Sequence, residues 1–215
     1  MTERSPRIRD PQRTRAEVLS VATEVFADSG YSGARIDEIA RRTRTTKRMI
    51  YYYFGGKEQL YLAVLENAYR GIREAEQTLQ MDALNPPDAL RRLAELTYDH
   101  HLENADFIRL VSIENIHRGK FISKIESLHD LSQPAVTVLD DIIAQGKREG
   151  AFREEVNALD LHLLISSYCV FQVANRYTFS FLFDSSFSSA ERRQQMRGFI
   201  GDVVVSWALA DDHPA

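Results

Sequence analysis

The sequence predicts an all-α protein: a small three-helix helix-turn-helix domain at the N-terminus, then a larger helical domain. Three observations carry this. Apolar residues recur at helical spacing along most of the chain, and few runs alternate as strands do. Glycines and prolines such as Gly30, Gly55, Gly119, Pro134 and Gly150 fall between the periodic segments. Charge also divides the chain. Between Tyr31 and Leu60, seven cations (Arg35, Arg41, Arg42, Arg44, Lys47, Arg48, Lys57) stand against Asp37, Glu38 and Glu58, a net +4; the whole is −4, so the rest carries −8.

Helix one is expected from Arg15 to Ser29, with Val18, Val21, Ala22, Val25 and Phe26 on one face, Thr14 as N-cap and Gly30 as stop. Ile36, Ile39 and Ala40 mark a short second helix, Ile36 to Thr43, which needs neighbours to stand. Thr46 can cap a third, with Ile50 and Phe54 turned inward four residues apart and Gly55-Gly56 ending it. Longer helices are expected at Lys57 to Gln80, Pro86 to His101, Asp106 to His117, Lys120 to His129, Ala135 to Glu149, Leu159 to Phe183 and Ser189 to Leu209. The expected organisation is a flexible arm over 1–12, the helix-turn-helix domain over 13–56 and the helical body over 57–215.

At 215 residues, 44% apolar and 27% charged, the composition is that of an ordinary globular protein. Its one cysteine, Cys169, permits no intramolecular disulfide and fits a reducing cytoplasm. The stretch "MTERSPRIRDPQRTR" has no apolar signal region, and His162, Gln172, Asn175 and Arg176 interrupt the apolar run from Leu161 to Phe183. A buried helix is expected there, with no membrane partner.

Two short helices joined by a tight polar turn after a longer helix, rich in cations, form a helix-turn-helix whose second helix enters the major groove of DNA. Lys47, Arg48 and Met49 occupy the first turn of that helix, directly after Thr45 and Thr46. Arg48 can pair with guanine O6 and N7, Met49 can touch a thymine methyl, and Lys47 suits phosphate. Tyr51, Tyr52 and Tyr53 place phenolic donors beside the backbone, with Tyr51 expected to be the packing member. Lys57 opens the next helix, where the dipole already favours an anion.

The stretch "VFADSGYSGARIDEIARRTRTTKRMIYYYFGGKEQLYLAVLE" resembles the DNA-binding domain of the tetracycline-repressor (TetR) family of bacterial transcriptional regulators. The resemblance spans Arg13 to about Glu66 and rests on the Phe-x-x-x-Gly-Tyr end of helix one, the Ile-Ala of helix two, the Tyr-x-x-Phe and the Lys-Glu-x-Leu. Three positions depart from the family pattern. Arg35 stands where a capping Thr is usual, Arg44 where the turn usually has Gly, and Arg48 where a Gly is frequent. Arg35 exchanges a cap for a longer phosphate arm, and Arg44 at positive φ costs about 1 kcal/mol.

The resemblance implies a homodimer on a double-stranded DNA operator, released by a small-molecule effector, with no cofactor. The last helix carries Phe199, Ile200, Val203, Val204 and Trp207 as its candidate dimer stripe. Candidate effector contacts are Tyr168, Phe171, Gln172, Asn175, Arg176 and Phe179, with Tyr98, His101, Phe107, Val111 and Glu114 as facing walls. These residues suit a hydrophobic or aromatic ligand, and ordinary core packing is the competing reading for each. A second function class is an oxidoreductase with a metal on the Glu-x-x-His pairs Glu114/His117 and Glu126/His129. A turn at Gly119 puts the two histidines ~12 Å apart, too far to share one ion.

Overall fold

A computed structural model describes residues 10–77, 84–183 and 189–210, with the side chains of 77, 129 and 131–135 outside the description. Residues 1–9 of the expected arm, the end of the helix expected to reach Gln80, and the His129 side chain are thus outside it. Among the described residues the chain forms ten α-helices: α1 Pro11–Gly33, α2 Ile36–Arg42, α3 Lys47–Phe54, α4 Lys57–Gln77, α5 Pro86–Glu103, α6 Ala105–Ile116, α7 Ser127–Arg148, α8 Ala158–Ala174, α9 Arg176–Phe183 and α10 Ala190–Ala208. The only β pairing among them is an isolated bridge between Phe152 and Leu209.

Several boundaries differ from the sequence expectation. Helix α1 starts at Pro11 because Asp10 accepts from the Gln12 amide and proline suits the first turn; Thr14 is therefore one turn inside, donating to the Asp10 carbonyl. Gly30 is where the regular helix breaks, at φ 66° and ψ 176°. Of the segment expected as a helix from Lys120 to His129, residues 120–126 form a turn with a short 3-10 stretch, Ile122–Lys124, and the rest is the start of α7. Helix α7 passes through Pro134, which forgoes one intrahelical bond without ending the helix. The long helix expected from Leu159 to Phe183 ends at Asn175, whose amide caps the Phe171 carbonyl before α9 begins.

The chain divides into two compact units, and the division falls inside α4 and inside α6 rather than at Gly56. The first unit contains the residues up to Asn67 together with Arg109–Ile125. Its centre is aromatic. Tyr61, fully buried, meets Phe26 at 4.8 Å, Tyr31 at 5.4 Å and Phe121 at 5.1 Å between ring centroids. The Tyr61 hydroxyl donates to Glu114 at 2.9 Å, and the other Glu114 oxygen accepts from the Phe121 and Ile122 amides at 3.1 and 3.0 Å. Burial and the Glu114 carboxylate both push the Tyr61 phenol far upward, so it stays a donor. Arg109 pairs with Asp28 and Lys124 with Glu58 around the rim.

In the second unit, α5 is the central helix. Leu90, Leu93, Ala94 and Tyr98 on it pack with Leu139, Ile142 and Ile143 of α7, Leu161, Ile165 and Cys169 of α8, and Ile200, Val204 and Val205 of α10. Burial raises the Cys169 thiol to about 12, as suits a packing residue. Arg197 of α10 bridges Glu95 and Asp99 of α5 at 2.6 and 2.8 Å, and Arg91 reaches Asp202 at 2.7 Å. A side chain at Gly146 would collide with the Phe152 ring, which fixes the turn into α8 against α7.

Two outcomes test this packing. Glu114→Ala leaves a buried hydroxyl and two amides without acceptor, and should lower stability by about 2–4 kcal/mol in denaturant melts. His101 is held neutral: burial, then neighbouring His100, lowers it from 6.5 to about 4. Below pH 6.5 the unfolded chain therefore binds the proton first, so the thermal midpoint should fall between pH 6.5 and 4, and His101→Phe should flatten that fall.

Candidate nucleic-acid interface

Helix α3 owes its placement to three local features. Thr46 accepts from the Met49 amide at 3.2 Å and caps the start. Ile50 and Phe54 are anchored in the first unit, at 0% and 8% exposure. Gly55, at φ 84°, ends the helix by donating to the Tyr51 carbonyl. The turn before it holds Arg44 at φ 51°, in the left-handed region where the usual glycine costs nothing. Thr43 stabilises the turn from inside, its buried hydroxyl donating to the Ile39 carbonyl at 2.7 Å. Arg35 precedes α2 without making a side-chain cap.

With Ile50 and Phe54 inward, the opposite face of α3 points to solvent. Tyr52 is the most exposed of the row at 79%. Tyr51 is 45% exposed, and Tyr53 is the partly covered one, edge-on to Tyr52 at 5.5 Å. The expectation that Tyr51 packs is thus corrected. Tyr51 and Tyr53 lie about equally far in angle from the buried stripe at 100° per residue, so only the neighbouring helices decide between them. Lys47, Arg48 and Met49 are all exposed, as are Arg44 and Thr46, whereas Thr45 is half-buried.

The cations are not equally free. Lys47 pairs with Asp37 of α2 at 2.5 Å. Lys57 lies 4.9 Å from the Tyr31 ring centroid and donates to the Ser32 carbonyl at 3.4 Å, and burial lowers its pKa. The arrangement presents one short helix by its N-terminal half, with Arg48 and Tyr52 turned to solvent and Met49 exposed at 36%. Such a face can enter a DNA groove while the flanking cations meet phosphates.

The residues expected to line an effector site fall into separate groups. Tyr98 and Tyr168 come together at 6.3 Å, and the Tyr168 hydroxyl donates to the Met196 carbonyl. His101 and Phe107 meet edge-on at 5.6 Å in the second unit. Phe179 lies between Phe171 and Phe183, at 5.9 and 4.5 Å, and Arg176 turns onto its neighbour Tyr177 instead of inward. Phe171 is 46% exposed, and Gln172 and Asn175 are half-buried at the end of α8. Val111 and Glu114 belong to the first unit, where the Glu114 carboxylate is occupied by Tyr61 and the two amides. That occupation also removes Glu114 from the metal reading, and His117 is exposed. Among the described residues no three His, Cys, Asp or Glu side chains gather as a metal site.

The expected dimer stripe splits as well. Ile200 and Val204 are core residues at 1% and 0% exposure, whereas Phe199, Trp207 and the half-buried Val203 lie on the neighbouring face. Sequence reasoning missed Arg73, Glu76, His100 and His162, which are buried or half-buried in the second unit. The signal was present in the charged residues of an otherwise apolar α4 face and in the adjacent histidines of α5. Among the described residues no helix is long and apolar enough to cross a membrane.

Comparison with known proteins agrees with this geometry. Residues 18–64 match a family described as "Bacterial regulatory proteins, tetR family", and residues 86–204 match a "Tetracyclin repressor-like, C-terminal domain". The chain is 35% identical over 199 residues to the HTH-type transcriptional repressor NicS of Pseudomonas putida, covering 93% of this chain and 94% of that one. It is 28% identical over 159 residues to the HTH-type transcriptional repressor SCO4008 of Streptomyces coelicolor, covering 73% and 77%. The crystal structure of the putative transcriptional regulator SCO4942 from Streptomyces coelicolor superposes with a TM-score of 0.68 at 26% identity, over 88% of this chain and 97% of that one.

The Asp37–Lys47 pair gives a direct test of the face. Asp37→Asn frees Lys47 for phosphate, so affinity for duplex DNA should rise at low salt and the salt dependence should steepen by about one charge, measured by fluorescence anisotropy.

Proposed function

The chain belongs to the TetR family of bacterial regulatory proteins, and from that premise we propose that it acts as a homodimeric repressor released from a palindromic operator by a small molecule. The single observation that carries the DNA reading is the solvent face of α3: Arg48, Met49 and Tyr52 exposed over a buried Ile50 and Phe54. Repression is supported by the two relatives NicS and SCO4008, both of which are HTH-type transcriptional repressors. Its place of action is the cytoplasm, where the DNA lies.

Dimerisation is supported by apolar side chains left uncovered on α8 and α10. Leu159 and Leu163 are 68% and 66% exposed, and Phe199 and Trp207 are 52% and 38% exposed. Four large apolar side chains on two helices make a surface that a second copy would bury. A two-fold pair then spaces the two α3 helices about one DNA turn, ~34–36 Å, or somewhat more apart. Because α4 begins at Lys57 and ends among second-unit residues, a shift of its later turns is carried covalently to its first. The effector acts by preferring the DNA-incompetent arrangement, a population shift that requires unequal affinity for the two states.

Anisotropy titration of the purified protein against DNA fragments from upstream of its own gene should give salt-sensitive binding that protects a palindrome, with a dimer mass by light scattering. Arg48→Ala should weaken discrimination between that site and random duplex by about 1–3 kcal/mol while leaving random-duplex binding nearly unchanged. Equal loss on both duplexes would assign Arg48 to phosphate.

A further inference from the structure

Inside the second unit, α4, α5 and α8 bring together a set of polar side chains that the core does not need. Arg73 and Glu76 pair one turn apart on α4, with side chains 12% and 7% exposed. His101 of α5 is 5% exposed, and its neighbour His100 and His162 of α8 are half-buried. The Nδ1 atoms of His100 and His101 are out of solvent and find no hydrogen-bond partner among the described residues. The Thr97 carbonyl favours the charged form of the His101 ring, but less than burial disfavours it. Buried polar atoms are almost always paired, so two such nitrogens on consecutive residues call for a partner.

We propose that this cluster is the recognition site for the carboxylate of a small organic acid, which binds together with one proton. The inference rests on the reading of the chain as a ligand-released regulator. His100 and His101 stand 5.9 Å apart between ring centroids, and each brings one unpartnered Nδ1 to the cluster. Phe107 meets both rings edge-on, at 6.1 and 5.6 Å, and Tyr69 packs on Phe107 at 5.1 Å, so the polar pair has an apolar wall for the rest of the ligand. His162 is 3.5 Å from the Ser166 hydroxyl, which leaves it oriented from α8.

The charge around the cluster explains the proton. Burial first, and Arg73 after it, lowers both His100 and His162; in His101 burial is followed by His100, with Arg73 and His162 adding to it. All three rings are therefore neutral at pH 7, and Arg73 is matched by Glu76, whose own pKa burial raises. An arriving carboxylate reverses the local sign. It favours an imidazolium in the His100–His101 pair, so one proton enters with each anion, shared by the pair rather than owned by one ring.

The test uses the full chain with benzoate, hexanoate and benzamide as probes, read by thermal shift and by calorimetry in buffers of different ionisation heat. Binding of benzoate, hexanoate or both is expected, with about one proton taken up per site and affinity rising up to tenfold per pH unit from pH 8 to 6. The two acids decide between an aromatic and an aliphatic body. Benzamide, the same ring without charge, should not bind. His100→Gln and His101→Phe should each lose the proton uptake, and the half-buried first keeps the test open if the second fails to fold. Equal binding of benzamide and benzoate, acid binding without proton uptake, or no binding of either acid at millimolar concentration overturns the assignment. These readouts contain no DNA, so an acid site that fails in a protein still holding its operator leaves the regulator reading intact. Loss of all DNA affinity would remove that reading instead.

Discussion

A carboxylate taken out of water must have its lone pairs filled, and Glu114 organises the first unit by meeting that requirement. One oxygen takes the phenol of Tyr61 and the other takes two successive amides of the turn after α6. The turn itself needs Arg118 and Gly119 at positive φ, a conformation that local propensity alone would not select. The three donors thus hold in place a segment far along the chain, 109–125, within the same unit as the helix-turn-helix. Phe121 follows from that constraint, since its ring closes over Tyr61 and Tyr31 once its amide is fixed.

The recognition helix depends on this aromatic centre indirectly. Eight residues are too few for a helix to be stable alone, so α3 exists because Ile50 and Phe54 are seated and Thr46 caps it. Seating one face exposes the other, which is how a short polar helix comes to offer Arg48, Met49 and Tyr52 outward. The ion pair between Lys47 and Asp37 moderates that face, since an exposed pair is weak and exchanges readily for phosphate.

The second unit solves a different problem. Its apolar core on α5 is closed by Arg197 bridging Glu95 and Asp99, half-screened charges that fix α10 against α5. The histidine cluster lies apart from those bridges, and its charges are kept small by burial and by the Arg73–Glu76 pair. Two unpartnered ring nitrogens on consecutive residues, beside a buried ion pair, are the feature that separates this cluster from the apolar core around it.

Periodicity, caps and charge by themselves determined the all-helical class and the two short helices that follow the first long one, and the motifs around them carried the resemblance to the family. Ile50 and Phe54 were legible because a four-residue spacing has one meaning on a helix, and Thr46 because a hydroxyl there has one donor to accept. The stop at Gly30 was legible because only glycine tolerates its backbone angles cheaply. Tertiary structure alone decided the rest. Tyr51 and Tyr53 flank the buried stripe symmetrically, so neighbouring helices chose which is covered. Ile200 and Val204 were indistinguishable from Phe199 and Trp207 on an apolar helix until α5 took one face. Glu114 was read as a pocket wall because sequence gives no distance to Tyr61, 53 residues away, and a buried carboxylate is defined by the donors that reach it.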